Sequence, residues 1–575
     1  MTNFNRIKIV SVAASILFVA IAAAALILAT HWPFSQSKIT QSLQETFPAT
    51  VTFHKFHSTY FPHPGCVAEG VEFRRLGRPS GIPPIATIQR LTIQAHYTDI
   101  FFRPNYIAHI ILNGTQLQVP PKGTPLDETS WHETPSTIRV GEILVDGAVV
   151  EIARATPNPP LRFDIHTLKL TSVSRSQPLR YSIALHNPLP PGEIRAQGQF
   201  GPWNSDAPGQ TAIAGDYTFQ SADLSVFPGI AGTLFGKDKF QGILQHVETH
   251  GRVDIPDFMV SQSQHPVHLT AEYRAIVNGT NGDVALQTVS ASYLHTTIHA
   301  KGEIAGHAGQ DGKTTSLDLA VNNGHIQDVL WLVVHSKKPA LSGATNFTAH
   351  VTIPPDLHPF LRQVRFNADF AITGGEFAKP TTQASVDSLS ERARGLKTPE
   401  GKTPEATSVE LTSTEVQPTE VQPTGVKPTG IKTGQAKPAE TKPDENPAAD
   451  PDNVISNLSG HVEVRDAVAH FHTISFDVPG ALAQMHGLYN LENKELNFHG
   501  TLKTDAEFSH LTTGFKSVLL KPFNSVFQKK HAGAELPIHL VGTYKKPEFG
   551  LDLPIKKSNE KAKSNAKVKS TAAAN

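Results

Sequence analysis

The chain has 575 residues, 51 Lys plus Arg against 51 Asp plus Glu, a formal net charge of zero, and one cysteine, Cys66. Zero net charge removes the electrostatic basis for nucleic-acid binding, and a lone cysteine excludes an intramolecular disulfide, so burial and ladder hydrogen bonds must hold the fold. The length requires several domains or one repetitive, extended architecture.

The first element is the apolar run Val10 to Thr30 (VSVAASILFVAIAAAALILAT), preceded by Arg6 and Lys8. Crossing roughly 30 Å of hydrocarbon takes about 20 apolar residues, and this run has that length without a charge. A secretory signal peptide is the competing reading, with Ala23-Ala24-Ala25 as its cleavage site, but signal apolar regions span only about 7 to 15 residues. Here apolar character continues through Leu26, Ile27 and Leu28, and Trp32-Pro33-Phe34 stands where interfacial aromatics anchor a retained helix. The reading is therefore a cytoplasmic N-terminus over 1–8, a transmembrane helix over 9–30, and export of everything beyond His31 under the positive-inside rule. A large exported chain with one cysteine suits a bacterial envelope.

Ile39, Leu43 and Phe47 fall at i, i+4 and i+8, which predicts a short helix from Ser37 closed by Pro48. From Val51 the period changes to two: Val51, Phe53 and Lys55 alternate with Thr52, His54 and Phe56. The same pattern recurs at Ile88–Ala95, Ile107–Leu112, Ile138–Val145, Ala148–Ile152, Phe163–Leu170, Tyr181–Leu185, Glu193–Phe200, Gly215–Phe219 and Gln241–Ile255. It continues at His268–Val277, Asp283–Leu294, Thr296–Ile304, Ser316–Val321, Thr345–Ile353 and Val364–Ile372. Asp146-Gly147 is expected as a type I′ hairpin turn.

From Glu391 to Asn453, Thr, Pro, Glu and Lys dominate and a near-repeat appears (EVQPTEVQPTGVKPTGIKTG). Such a stretch has too little apolar surface to repay its ordering entropy and reads as a disordered insertion. Ordered alternation returns at Val454. Ala481, Ala483, Met485, Gly487, Tyr489 and Leu491 share one face, and Leu496, Phe498, Gly500 and Leu502 continue it. Helical spacing follows through Phe508, Leu511, Phe515, Val518, Leu519, Phe523, Val526 and Phe527, predicting an amphipathic helix over about 506–531 with a kink at Pro522. A Lys-rich tail closes the chain over 556–575. The expected fold class is mainly β: a single transmembrane helix, then an elongated, repetitive, mainly antiparallel, curved, groove-like sheet with a few short helices. Its parts are an N-terminal region over 31–120, a repetitive β region over 121–390, the insertion over 391–453 and a C-terminal β domain over 454–555.

The sequence presents no catalytic constellation. His54, His57 and His63, and His470 and His472, lack the converging spacing of a zinc site and read as exposed strand positions. Ser35-Gln-Ser-Lys38 and Lys432-Thr433-Gly434 imitate penicillin-recognising serine enzymes, but the third signature, Ser-Asp-Asn, is missing. Cys66 has no activating neighbour and reads as a half-buried small side chain. Sequons at Asn113, Asn278, Asn346 and Asn457 are of the kind that arise by chance. Catalytic, cofactor and metal assignments are accordingly none.

Two stretches admit a binding role beside the ordinary one of core. Ala483, Met485, Tyr489, Leu491, Leu496 and Phe498 could line an apolar groove for lipid chains. Phe508, Leu511, Phe515, Val518, Leu519, Phe523 and Phe527, on a helix carrying Lys516, Lys521, Lys529 and Lys530, could lie on a membrane surface.

Several local sequences are familiar together: His31-Trp32-Pro33-Phe34 after the span, Tyr60-Phe61-Pro62-His63-Pro64-Gly65 and Glu69-Gly70-Val71. Later come Ser385 to Ser390 with Arg392 to Gly395, Val478-Pro479-Gly480-Ala481, Gly487-Leu488-Tyr489-Asn490-Leu491, and Leu540-Val541-Gly542-Thr543-Tyr544 before Pro547. In these the chain resembles the AsmA-like proteins of Gram-negative envelopes, in the AsmA/TamB group. The resemblance implies a single-pass inner-membrane protein with its bulk in the periplasm and a long bent sheet whose apolar groove passes phospholipid toward the outer membrane. It equally allows a non-transporting scaffold or assembly factor for outer-membrane proteins. Partners implied are membrane phospholipid, the inner membrane, and outer-membrane or envelope proteins.

Overall fold

The computed structural model describes residues 32–46, 49–75, 84–103, 105–119, 138–153, 159–307, 312–355, 359–394, 454–505 and 535–552. The span over 9–30, residues 395–453 of the insertion, the helix expected over 506–531 and the tail lie outside them. Among the described residues no helix is long and apolar enough to cross a membrane.

After helix α1 (Gln36–Thr46) come β1 (Ala49–Thr59), β2 (Gly65–Arg75), β3 (Ala86–Gln94), helix α2 (Tyr97–Phe102), β4 (Tyr106–Val119), β5 (Arg139–Ile152) and β6 (Leu161–Val173). β7 (Leu179–Pro188), β8 (Pro191–Phe200), β9 (Ala212–Asp223), the two-residue β10 (Ile230–Ala231), β11 (Thr233–Ile243) and β12 (His246–Val260) follow. Then come β13 (Val267–Val277), β14 (Val284–Tyr293), β15 (Thr296–Gly306), β16 (Lys313–His325), helix α3 (Ile326–Val333) and β17 (Leu341–Ile353). Helix α4 (Phe360–Gln363), β18 (Arg365–Phe377) and helix α5 (Pro380–Ala393) lead to β19 (Ser456–Arg465). β20 (Val468–Val478), β21 (Ala481–Asn490), β22 (Glu495–Thr504), β23 (Glu535–Thr543) and β24 (Lys546–Leu551) complete the order.

These strands form one curved 24-stranded sheet. Each pairs antiparallel with the next, except that β4 and β5 run parallel and that β9 pairs directly with β11, β10 being a short addition to β12. At about 4.8 Å per strand the sheet extends on the order of 100 Å across its strands. Pairing passes from β18 to β19, Phe366 opposite Val464 through Gly375 opposite Ser456, so the insertion does not interrupt it. The insertion also begins later than expected: Glu391, Arg392 and Ala393 form the last turn of α5, where Ala393 is fully buried.

Asp146-Gly147 is not a hairpin turn. Both residues lie inside β5, which pairs with β4 and β6 on either side of them. Gly147 occupies the left-handed region (φ 68°), as do Gly114 (φ 61°) and Gly70 (φ 60°). The flanking pairs place His54, Gly70, Gln89, Gly114, Gly147 and His166 in one row across six strands. At this row side-chain parity reverses: Ile143 and Val145 before it, and Ala148 and Val150 after it, face the same way. The same reversal puts Phe56, rather than Lys55, with Phe53 in the N-terminal core. The run Gln241–Ile255, expected as one strand, is a hairpin turning at Leu244-Gln245, a dipeptide without turn chemistry.

Helices pack on the sheet's apolar side. Ile39 and Leu43 of α1 join Val51, Val71, Leu91 and Ile93, as the spacing predicted, while Phe47 lies outside the described residues. β9, β16 and β18 run in the same direction, so the turn Leu224–Val226, α3 and α5 all emerge at one rim. There α3 buries Leu332 against Val267 and Tyr293, with Trp331 partly buried beside them. Asp328 of α3, 4% exposed, accepts hydrogen bonds at 2.9 Å from both the His295 amide and the Thr296 hydroxyl.

Alanine at Gly147, where an added Cβ meets nothing within 4 Å, should cost about 1 kcal/mol from the left-handed backbone alone. Alanine at Gly114, whose Cβ would lie 2.4 Å from Gln89 Cδ, should cost more. Urea unfolding of the two variants beside the parent checks that order; equal, negligible effects would refute the parity row.

Candidate functional site

Because paired residues share a face, the register defines the surface each row presents. One unbroken row crosses the sheet. It begins Phe56, Ala68, Leu91, Leu112, Val145, Leu168, Ile183 and Ala196, on β1 to β8. It continues Tyr217, Asp238, Gly251, Tyr273, Val289, Ala300 and Leu319, on β9 and β11 to β16. It ends Ala349, Ala368, Val462, Phe471, Gly487, Phe498, Leu540 and Phe549, on β17 to β24. Asp238 is its one ionisable carboxyl, and tyrosine hydroxyls flank it alone.

No second sheet covers this face among the described residues. Its side chains shield one another instead: Ala349, Ala368, Val462 and Ala469 are buried beneath Phe347, Phe366, Phe370 and Phe471, all from strands of the same sheet. The helices cover only the ends and the rim, leaving Val289, Ala300 and Leu319 half-buried. An open depression of about 600 Å³ lies instead on the other face, among His299, Lys301, Asp318, His350, Asn367 and Asp369, whose side chains alternate with those of Ala300, Leu319, Ala349 and Ala368.

Five of the six expected lining residues, Ala483, Met485, Tyr489, Leu496 and Phe498, share this face on β21 and β22. Leu491 lies beyond the end of β21, in the turn, where its amide donates to the Ala467 carbonyl. Ala483 and Met485 also serve as ordinary core, since they pack on a cluster containing Val386 of α5 with Val478, Leu502 and Ile538. Two separate familiar sequences meet there: the Ser390 hydroxyl donates to the Pro479 carbonyl at 2.6 Å, and Gly480 (φ 87°) leaves room for Arg394. The buried Gln383 side chain accepts from the Phe377 amide and donates to Asp387 and the Val454 carbonyl, tying α5 to the segment entering β19. The expected membrane-surface residues, Phe508 to Phe527, lie outside the described residues.

Polar side chains populate the other face, many as cross-strand His–carboxylate pairs. His268 meets Asp254 at 2.7 Å, His350 meets Asp318 at 2.8 Å and His461 meets Asp369 at 2.7 Å. Glu193 lies between His186 (2.8 Å) and His166 (3.0 Å), and Asp552 between His499 (2.7 Å) and His539 (2.9 Å). Hydrogen bonds from His186 and His499 in the first place hold these two carboxyls below their ordinary values. Among the described residues no three His, Cys, Asp or Glu side chains are arranged to hold a metal ion. Cys66 is fully buried rather than half-buried, and burial pushes its thiol up to about 12, leaving it unreactive near neutrality.

The row Tyr217, Asp238, Tyr273 escaped sequence reading. Alternation through Gly236, Asp238 and Phe240 places the aspartate on the apolar side of β11, which was the available signal. Among the described residues the geometry is that of a mainly β protein whose one large curved sheet carries a continuous apolar face with no second sheet on it. No family model, curated protein or solved structure matches the chain.

The depressed carboxyls have a definite sign. With folded values below the unfolded ones, Glu193 and Asp552 contribute fully above about pH 4.5 and lose that contribution as acid carries the pH through the folded values. A Glu193→Gln/Asp552→Asn variant should therefore lose less thermal stability than the parent between about pH 5 and 3. Melting curves across that range test it, and parallel losses would count against the two pairings.

Proposed function

We propose that this chain shields the acyl chains of membrane phospholipid on its apolar face, from an inner-membrane anchor, in transfer toward the outer membrane or in its maintenance. The observation that carries the reading is the row from Phe56 to Phe549, apolar almost throughout and, among the described residues, without a covering layer beyond the N-terminal strands under α1 and the rim helices. Soluble monomers rarely leave more than a few hundred Å² of contiguous apolar surface to water. A row on the order of 100 Å long needs an occupant of matching chemistry. Acyl chains are apolar, extended and without directional bonding, and their headgroups can stay in solvent beside an open sheet.

The test is extraction of the full chain, purified in mild detergent, for lipid mass spectrometry, alongside a Val289→Glu/Ala300→Glu variant. Phospholipid should copurify with the parent and fall several-fold in the variant at unchanged circular dichroism. A folded parent that brings no phospholipid would remove the reading and leave the scaffold for outer-membrane protein assembly in its place.

A further inference from the structure

Asp238 interrupts the apolar row, and its surroundings are built rather than incidental. The side chain is 3% exposed, and its Oδ1 has no hydrogen-bond partner. Opposite it on β12 stands Gly251, where any Cβ would fall 1.4 Å from that same Oδ1, so the glycine makes the room in which the carboxyl lies. Tyr217 and Tyr273 reach toward each other from β9 and β13, their hydroxyls 3.2 Å apart, and both are only half-buried. Thr249, beside this row on β12, is buried and donates to the Lys239 carbonyl. The register neighbours on the same face, Ala196, Val253, Ala271 and Val289, are apolar, and among the described residues no Lys, Arg or His shares that face beside the group, His250 lying on the other.

A buried polar atom without a partner forfeits its hydration and destabilises the fold unless something offsets it. Of the other buried aspartates among the described residues, Asp99 pairs with His96, and Asp328 is satisfied by two donors and ties down a helix. Asp238 has no helix to tie down and meets the Tyr217 and Tyr273 hydroxyls. Desolvation raises its carboxyl above the ordinary range, against the opposing pull of the Tyr273 and Tyr217 hydroxyls and of His250. The two tyrosine hydroxyls both donate and accept hydrogen bonds, and the carboxyl oxygens beside them accept. With no cation present, a phosphate would lose its hydration without recompense, whereas an uncharged oxygen group would be matched.

We propose that Tyr217, Asp238 and Tyr273 form a polar recognition site within the apolar face for an uncharged hydroxyl or ester group of an amphiphile. The proposal rests on the acyl-shielding reading and adds a position and a preference to it. An entering group meets the half-buried tyrosine hydroxyls first, with the carboxyl beneath them.

The probes are monooleoylglycerol and oleoyl lysophosphatidylcholine, which share a chain and differ in head, titrated separately into the full-length protein after detergent exchange. The parent should bind the monoglyceride about tenfold more tightly, about 1.4 kcal/mol. Tyr217→Phe/Tyr273→Phe keeps both rings and should abolish that preference while leaving lysophospholipid binding unchanged. Asp238→Leu should do the same; should it fail to fold, the phenylalanine pair decides alone. Equal affinities in the parent, or a preference that survives loss of both hydroxyls, would overturn the site and leave the acyl reading standing. Binding of neither amphiphile would overturn both.

Discussion

Everything about this molecule depends on side-chain parity being kept through consecutive strand pairings. Side chains alternate with period two, so a one-residue slip at any pairing would turn every later strand's apolar set toward solvent. The chain meets the requirement with paired compensations. Where the pleat of the first strands reverses, it reverses in all of them along one row, through Gly70, Gly114 and Gly147 at positive φ. The row ends in the irregularity of β6 between Ile165 and Thr167, after which β7 continues in ordinary alternation. Elsewhere, register shifts fall near strand ends at four of the pairings from β12 to β19 and directly beside the central row at β13–β14, β14–β15, β19–β20 and β20–β21, yet the row's pairing runs through all of them.

A single-layer sheet contacts only its neighbours, so its stability is closer to a sum of adjacent pairings than to that of one shared core. The helices supply the third dimension at intervals. α1 closes the N-terminal strands, α3 sits over β12 to β15, and α5 covers the lower ends of β20 to β23. The last two are fixed by buried polar bonds as well as apolar contact, Asp328 with Thr296 for α3 and Ser390 with Pro479 for α5. These satisfied groups set a standard against which Asp238, equally buried and on the same side of the sheet, stands apart.

Much of the architecture was legible because period-two alternation is a local signal. The meander Ala481 to Leu502 could be paired correctly from its residues alone, and the helix at Ile39 and Leu43 from its spacing. What failed to read has physical causes. Asp146-Gly147 carries hairpin chemistry, but the same positive φ that closes a hairpin also reverses a pleat, and only the partner strands decide which. Leu244-Gln245 turns without turn residues because β11 and β12 pair along their length and leave just two residues to connect them. The start of α5 offered no strong helical period, being fixed instead by Gln383 and Ser390 meeting residues about 70 to 90 positions later. Asp238 reads locally as one more charged strand residue; its significance comes from Tyr217 and Tyr273 on other strands.

The evenness of the face bears on how it could work. From Val289 to Phe549 the central row offers no polar atom on any side chain, so an acyl chain there would gain much the same free energy at each strand. Contacts that are non-directional and scale with area give no preferred resting place. A surface of that kind favours movement along its length over tight binding at one point. The row through Asp238 lies between two such stretches, Phe56 to Ala196 and Val289 to Phe549, and is where an amphiphile's polar group would alter that even profile. On the proposed reading, chain length along the sheet would set capacity, and this one interruption would set selectivity.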